Sequence, residues 1–143
     1  MAGKTVRIHG NQGNRFRMDV TAGNHKLVVD QSMPQGEDLG PNPLEYCLVS
    51  LSGCIGAIGR IIASQRKLDV RGFGVVVEGE LDTDNLLGIS DEKRAGFSRI
   101  DVSVDIDADM TPEEKAAFLH EIDARCPISD CLLKGTLINV RTV

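Results

Sequence analysis

The feature that most constrains this chain is a run from Leu44 to about Leu68 in which Leu44, Leu48, Leu51, Ile55, Ile58 and Ile62 recur at helical spacing. Asn42-Pro43 supplies a cap and a first turn, because proline is tolerated where the amide has no intrahelical partner. A single long apolar helix must then be covered by whatever else the chain makes. Its uncharged stretch, Tyr46 to Gly59, is interrupted by Arg60 before reaching the roughly 18 residues of a membrane span, so it reads as a buried helix and no membrane is expected as a partner. Gly53, Gly56 and Gly59 each cost about 1 kcal/mol relative to alanine inside a helix, roughly 3 kcal/mol together. Close packing against another backbone would offset that cost, either the second helix of this chain or the same helix of a partner subunit.

The rest of the chain supplies short strands and two further helices. Thr5 to His9, Arg15 to Val20 and Lys26 to Asp30 alternate as strands do, and the last two are joined by the turn-rich Thr21 to Asn24. Gln31 to Pro43, QSMPQGEDLGPNP, has the proline and glycine content of an ordered loop. Val75 to Leu81 and Ile100 to Ile106 alternate cleanly and are expected to pair, with Asp82 to Gly96 between them as a mobile connection or a lid. Thr111-Pro112-Glu113-Glu114 is a capping box that opens a helix running to about Arg125. Cys126-Pro127 breaks that helix, Ser129 is expected to cap a short one through Lys134, and Gly135 ends it. TLINVRTV is expected to close the chain as a strand. The order β-β-β-α-β-β-α-α-β places sheet residues in two blocks around a long helix, which argues for an α+β fold. With 143 residues and 41% hydrophobic content, the chain is expected to form a single domain over 1–143.

Charge and composition narrow the partners. The net charge is -5 and the basic residues are scattered, so there is no footprint for a phosphate backbone and nucleic acid is excluded. With no Trp, one Tyr and four Phe, a ligand pocket must be mainly aliphatic. The N-terminus, MAGKTVRIHGNQ, lacks the apolar run of a secretory signal, which points to the cytoplasm. There, four cysteines are more often reactive, metal-binding or buried than joined as structural disulfides.

Spacing argues against a metal. Cys47 and Cys54 would lie about 10.5 Å apart along a helix axis, whereas zinc holds its sulfurs at about 2.3 Å. Cys54 falls mid-helix between Gly53 and Gly56, where a small substrate could reach its sulfur, although a thiol in such a run is more often inert core. Cys126 lies at a helix end ahead of Pro127, where the amides of the next helix could stabilise a thiolate. Local spacing leaves open which sulfurs meet. His9, His25 and His120 have no partner at a recognisable spacing.

GEDLGPNPLEYCLVSLSGC at 36–54 and ARCPIS at 124–129 resemble the two signature stretches of the OsmC/Ohr family, closer to the OsmC-like branch than to the organic hydroperoxide resistance branch. The resemblance implies antiparallel sheets around a long central helix, in an intertwined homodimer with its active site at the subunit interface. It further implies a thiol-dependent peroxidase without a cofactor. Cys54 would attack the O–O bond of an organic hydroperoxide, or of hydrogen peroxide, to become a sulfenic acid. Cys126 would condense with that group to a disulfide, reopened by an external thiol such as a dithiol. An N-terminal arginine, here Arg15 in preference to Arg17, would activate the thiolate, held by an acidic residue on the long helix. Glu45 is the candidate for that acid, although the hydroperoxide-resistance branch carries its glutamate one residue earlier, where this chain has Leu44. An ideal helix turns Glu45 about 180° away from Cys54, and Cys47 about 20° from it. Cys47 and Cys131 lie outside the implied pair and read as core filler. Two further readings remain open: a non-catalytic dimer that senses oxidation or binds an apolar small molecule, and a structural dimer with buried thiols.

Overall fold

The computed structural model describes residues 2–143. Three strands come first, β1 (Ile8–Gln12), β2 (Met18–Ala22) and β3 (His25–Val29), followed by α1 (Pro43–Arg66). Then come β4 (Val70–Glu80), β5 (Arg99–Ala108), α2 (Pro112–Arg125) and α3 (Pro127–Lys134). The fold is α+β, with three helices and two antiparallel sheets, one of order β1-β2-β3 and one of β4-β5. The chain divides into two compact units, one running through Cys47 and the other from Leu48 to Val143.

In the first unit, β2 and β3 form a tight hairpin in which Ala22 pairs with His25. Gly23 at φ +59° takes the left-handed conformation that a two-residue hairpin turn needs at its first central position. β1 lies three residues later than the alternation predicts, because the ladder runs from Ile8 opposite Ala22 to Gln12 opposite Met18. That register leaves residues 13–17 as a loop, closed by the Gln12 side-chain amide donating to the Phe16 carbonyl at 2.8 Å. Arg15 and Arg17 therefore sit in this loop and not on one face of a strand, which corrects the expected strand start at Arg15.

The ordered loop before α1 is built on Asp30. Its carboxylate is buried and accepts hydrogen bonds from the backbone N–H groups of Gln31 at 2.8 Å, Glu37 at 3.2 Å and Leu39 at 3.1 Å. These bonds to the ionised form hold Asp30 below the usual carboxylate range, against the opposing effect of burial. Gly36 is obligatory here, since a Cβ would come within 2.2 Å of the Gln31 carbonyl oxygen and 2.5 Å of Asp30 Oδ1.

The second unit holds the hydrophobic core. α1 contributes Leu51, Ile55, Ile62 and Ala63, β4 and β5 contribute Val70, Ile106 and Ala108, and α2 contributes Phe118 and Ile122, with Cys126 beside them. α1 passes the length and hydropathy test for a membrane span, with a mean hydropathy of 1.7, but this core face makes it the helix around which the unit is packed. Within this chain the nearest neighbour of Gly59 is the ring of Phe73 on β4, which an added Cβ would approach to 2.6 Å. Arg60, one residue on, donates to the carbonyls of Val70 at 2.5 Å and Arg71 at 3.0 Å, where the β4 register shifts, and its guanidinium lies 5.5 Å from the Phe73 ring centre.

The connection from Asp82 to Gly96 is a chain of turns tied by an ion pair of 2.6 Å between Lys93 and Asp82 and by the Asn85 amide donating to the Lys93 carbonyl at 2.8 Å. The closing strand expected from TLINVRTV is a correction. Residues 136–143 form no ladder, and Leu137, Ile138 and Val140 stand exposed. The alternation fits a strand, but a strand also needs a neighbouring edge to satisfy its backbone.

Candidate active site

Cys54 projects from the middle of α1, half-buried against the core, and Cys126 is the corner residue between α2 and α3. Their sulfurs lie 2.9 Å apart as free thiols, 72 residues apart in sequence. A small further approach would close a bond of about 2.05 Å. The two thiols are not equivalent. Cys126 is 1% exposed, whereas an added Cβ at Gly53 or Gly56 would meet nothing within 4 Å, so the backbone beside Cys54 opens onto space.

The α2–α3 corner is set by three local rules. Thr111 and Glu114 exchange the reciprocal hydrogen bonds of a capping box and fix where α2 begins. Pro127, which cannot continue α2, starts α3 at the position that proline favours. Cys126 itself caps α3, its sulfur accepting from the Ser129 N–H at 3.4 Å, which corrects the expectation that Ser129 is the cap. Glu121 ties the end of α2 to α1 through an ion pair with Arg66, and Arg125 donates to Gln65 at 3.1 Å.

Burial pushes the Cys54 thiol above its ordinary range, and the neighbouring Cys126 thiol adds to the shift. The backbone N–H of Ile128, in the first turn of α3, pulls the other way as a donor to Cys54.

Arg15 and Glu45, the other two candidates, have partners of their own. Glu45 exchanges hydrogen bonds with Asn42, accepting from the Asn42 N–H at 2.9 Å while its own N–H donates to Asn42 Oδ1 at 2.8 Å. It closes the N-terminus of α1, and the N-P-L-E spacing is the signal that could have shown it. The acid paired with Arg15 is Glu37, in the loop organised by Asp30, and Arg17 pairs with Asp19 at 2.8 Å. Cys47 is half-buried, whereas Cys131 is exposed on α3, not the core position expected for it. Among the described residues, no three His, Cys, Asp or Glu side chains gather as ligands for an ion. A cleft of about 390 Å³ lined by Arg66, Leu68, Met110 and Phe118 includes neither thiol of the pair.

The family model for OsmC-like proteins matches residues 36–141, which include both thiols and the later part of the loop before α1. The chain belongs to the OsmC-like family. An OsmC-like protein from Mycoplasma pneumoniae superposes with a TM-score of 0.81 at 19% identity, covering 98% of this chain and 96% of that one. An organic hydroperoxide resistance protein OsmC from Legionella pneumophila gives 0.68 at 20% identity, covering 94% and 93%. The organic hydroperoxide resistance protein OhrB of Bacillus subtilis gives 0.60 at 18% identity, covering 91% of each chain. No curated protein matches at a significant level. The OsmC-like fold, including its hydroperoxide-resistance members, is thus the frame in which the two thiols are set.

Proposed function

We propose that this OsmC-like protein is a thiol-dependent peroxidase acting on organic hydroperoxides in the cytoplasm as a homodimer. The observation that carries the reading is the 2.9 Å approach of a half-buried sulfur, Cys54, to a buried one, Cys126. In the first step the Cys54 thiolate attacks the distal oxygen of the hydroperoxide, the O–O bond breaks, and the alkoxide leaves as an alcohol after taking a proton. Cys54 is left as a sulfenic acid. The Cys126 sulfur then attacks Cys54, the hydroxyl leaves as water, and a disulfide forms. An external dithiol reduces it and is itself oxidised to a disulfide.

The raised Cys54 thiol means that a cation is needed to make the thiolate at neutral pH, and Arg15, oriented by Glu37, is proposed for that role within the dimer. Each unit by which Arg15 lowers the Cys54 pKa is worth about tenfold in thiolate below that pKa. Arg15→Ala is accordingly expected to move the pH dependence of Cys54 alkylation upward, whereas Arg17→Ala leaves it in place. Dimerisation is supported by the exposed apolar C-terminal segment. The same close thiol pair also fits a second reading, a sensor that is oxidised once to the disulfide.

Steady-state consumption of tert-butyl hydroperoxide with a dithiol reductant decides between them. The peroxidase turns over many times and is abolished by Cys54→Ser. A wild type that consumes no more than one equivalent leaves the sensor.

A further inference from the structure

Ser129 is 8% exposed, yet its hydroxyl and its amide are both committed within the α2–α3 corner. The hydroxyl donates to Asp123 Oδ1 at 2.6 Å, reaching back to the last turn of α2. Its N–H donates to Cys126 Sγ, and the Cys126 N–H donates to the Asp123 carbonyl at 3.2 Å. Asp123, Cys126 and Ser129 thus close a ring of hydrogen bonds around the one backbone position that carries the buried thiol. A proline-broken junction between two helices is otherwise a place where the chain can pivot, and any pivot here would swing Cys126 relative to α1.

We propose that Ser129, anchored by Asp123, is a positioning residue that holds the Cys126 thiol against Cys54 and so sets the rate and the equilibrium of disulfide closure. The inference rests on the peroxidase reading for its physiological use, but the clamp itself acts on any closure of this pair. The chemistry it governs is attack of the Cys126 sulfur on an oxidised Cys54 sulfur: the S–S bond forms, the Cys54 S–O bond breaks, and the hydroxyl leaves as water with the proton from Cys126. With glutathione disulfide as the oxidant, two protein thiols become one disulfide and two glutathione thiols are released. The ring also links closure to overoxidation, since a sulfenic acid that waits for its partner meets a second peroxide and becomes a sulfinic acid.

The test uses the full chain with Ser129→Ala, Asp123→Asn and Ser129→Thr, the last keeping the hydroxyl. Equilibration in a glutathione redox buffer, read by mass spectrometry, measures the stability of the Cys54–Cys126 disulfide without any peroxide. Ser129→Ala and Asp123→Asn are expected to lower its equilibrium constant by roughly tenfold through a lower effective molarity of the Cys126 thiol at Cys54, and Ser129→Thr restores it. With tert-butyl hydroperoxide and dimedone present, the two weakened variants shift from disulfide to trapped Cys54 sulfenic acid and overoxidise at lower peroxide. A merely structural serine would lower the melting temperature without changing this partition. Equal disulfide stability in wild type, Ser129→Ala and Asp123→Asn would overturn the clamp. A wild type that forms the disulfide with glutathione but consumes no hydroperoxide would instead remove the peroxidase reading and leave the clamp standing.

Discussion

The two units of this chain are held together by different physics. From Leu48 onward the molecule is organised by apolar burial: all ten residues of the buried core lie there, and Ile62 and Ile122 are completely enclosed. Among the described residues of the first unit only Asp30 and Gly36 are buried, and its three strands present mostly exposed side chains. Its order comes from backbone ladders and from one carboxylate that satisfies three amides. The lesson is that the thiol pair sits where packing is dense and geometry is fixed. The signature loop is held by a polar hub whose strength depends on pH.

The largest effect should come from the dense unit. Ile122→Ala removes a fully enclosed side chain and is expected to cost about 2–5 kcal/mol in denaturant unfolding. A value near zero would mean that the core does not organise this unit. Gly59→Ala comes next, at about 1–3 kcal/mol, because the new Cβ collides with the Phe73 ring. The sharper form of that prediction is rescue: Phe73→Leu is expected to recover much of the loss in the double variant, and simple additivity would show that the ring is not the obstacle.

Asp30→Asn addresses the other side of the comparison. Its folded-state pKa is depressed, so its stabilising contribution is fully present above the unfolded value of about 3.9 and is lost as pH falls through the folded value. Wild type should therefore exceed Asp30→Asn in stability at pH 7, and the gap should close on acidification toward the folded pKa. Amide exchange should rise across residues 31–40 and stay unchanged in the core helices. Acceleration of both would erase the distinction between the units. The smallest effect is expected from Glu37→Ala, whose ion pair with Arg15 is exposed and is worth under about 1 kcal/mol in stability.

How much of this could be read from the sequence depended on the range of the forces involved. α1 announces itself through periodic apolar residues behind an Asn-Pro start and α2 through its capping box, because those signals are local. The boundaries of β1 and β2 did not, since register is set by pairing across a loop and not by either strand alone. The closing strand failed for a related reason: alternation fits residues 136–143 for a ladder without supplying the partner edge. At the site, the two family signatures single out Cys54 and Cys126, but only the fold shows their approach, because 72 residues separate them. Glu37 was hidden because its position depends on Asp30, seven residues away through a turn. The roles of Asp123 and Ser129 depend on a corner that no periodicity encodes.

The central claim is that Cys54 and Cys126 are the redox pair. Treating the reduced protein with one equivalent of tert-butyl hydroperoxide, blocking the remaining thiols and mapping the peptides by mass spectrometry tests it most directly. The account predicts a disulfide joining the Cys54 and Cys126 peptides in wild type, and a trapped Cys54 sulfenic acid in Cys126→Ser. Oxidation confined to Cys131 or Cys47, with Cys54 still reduced, would contradict it.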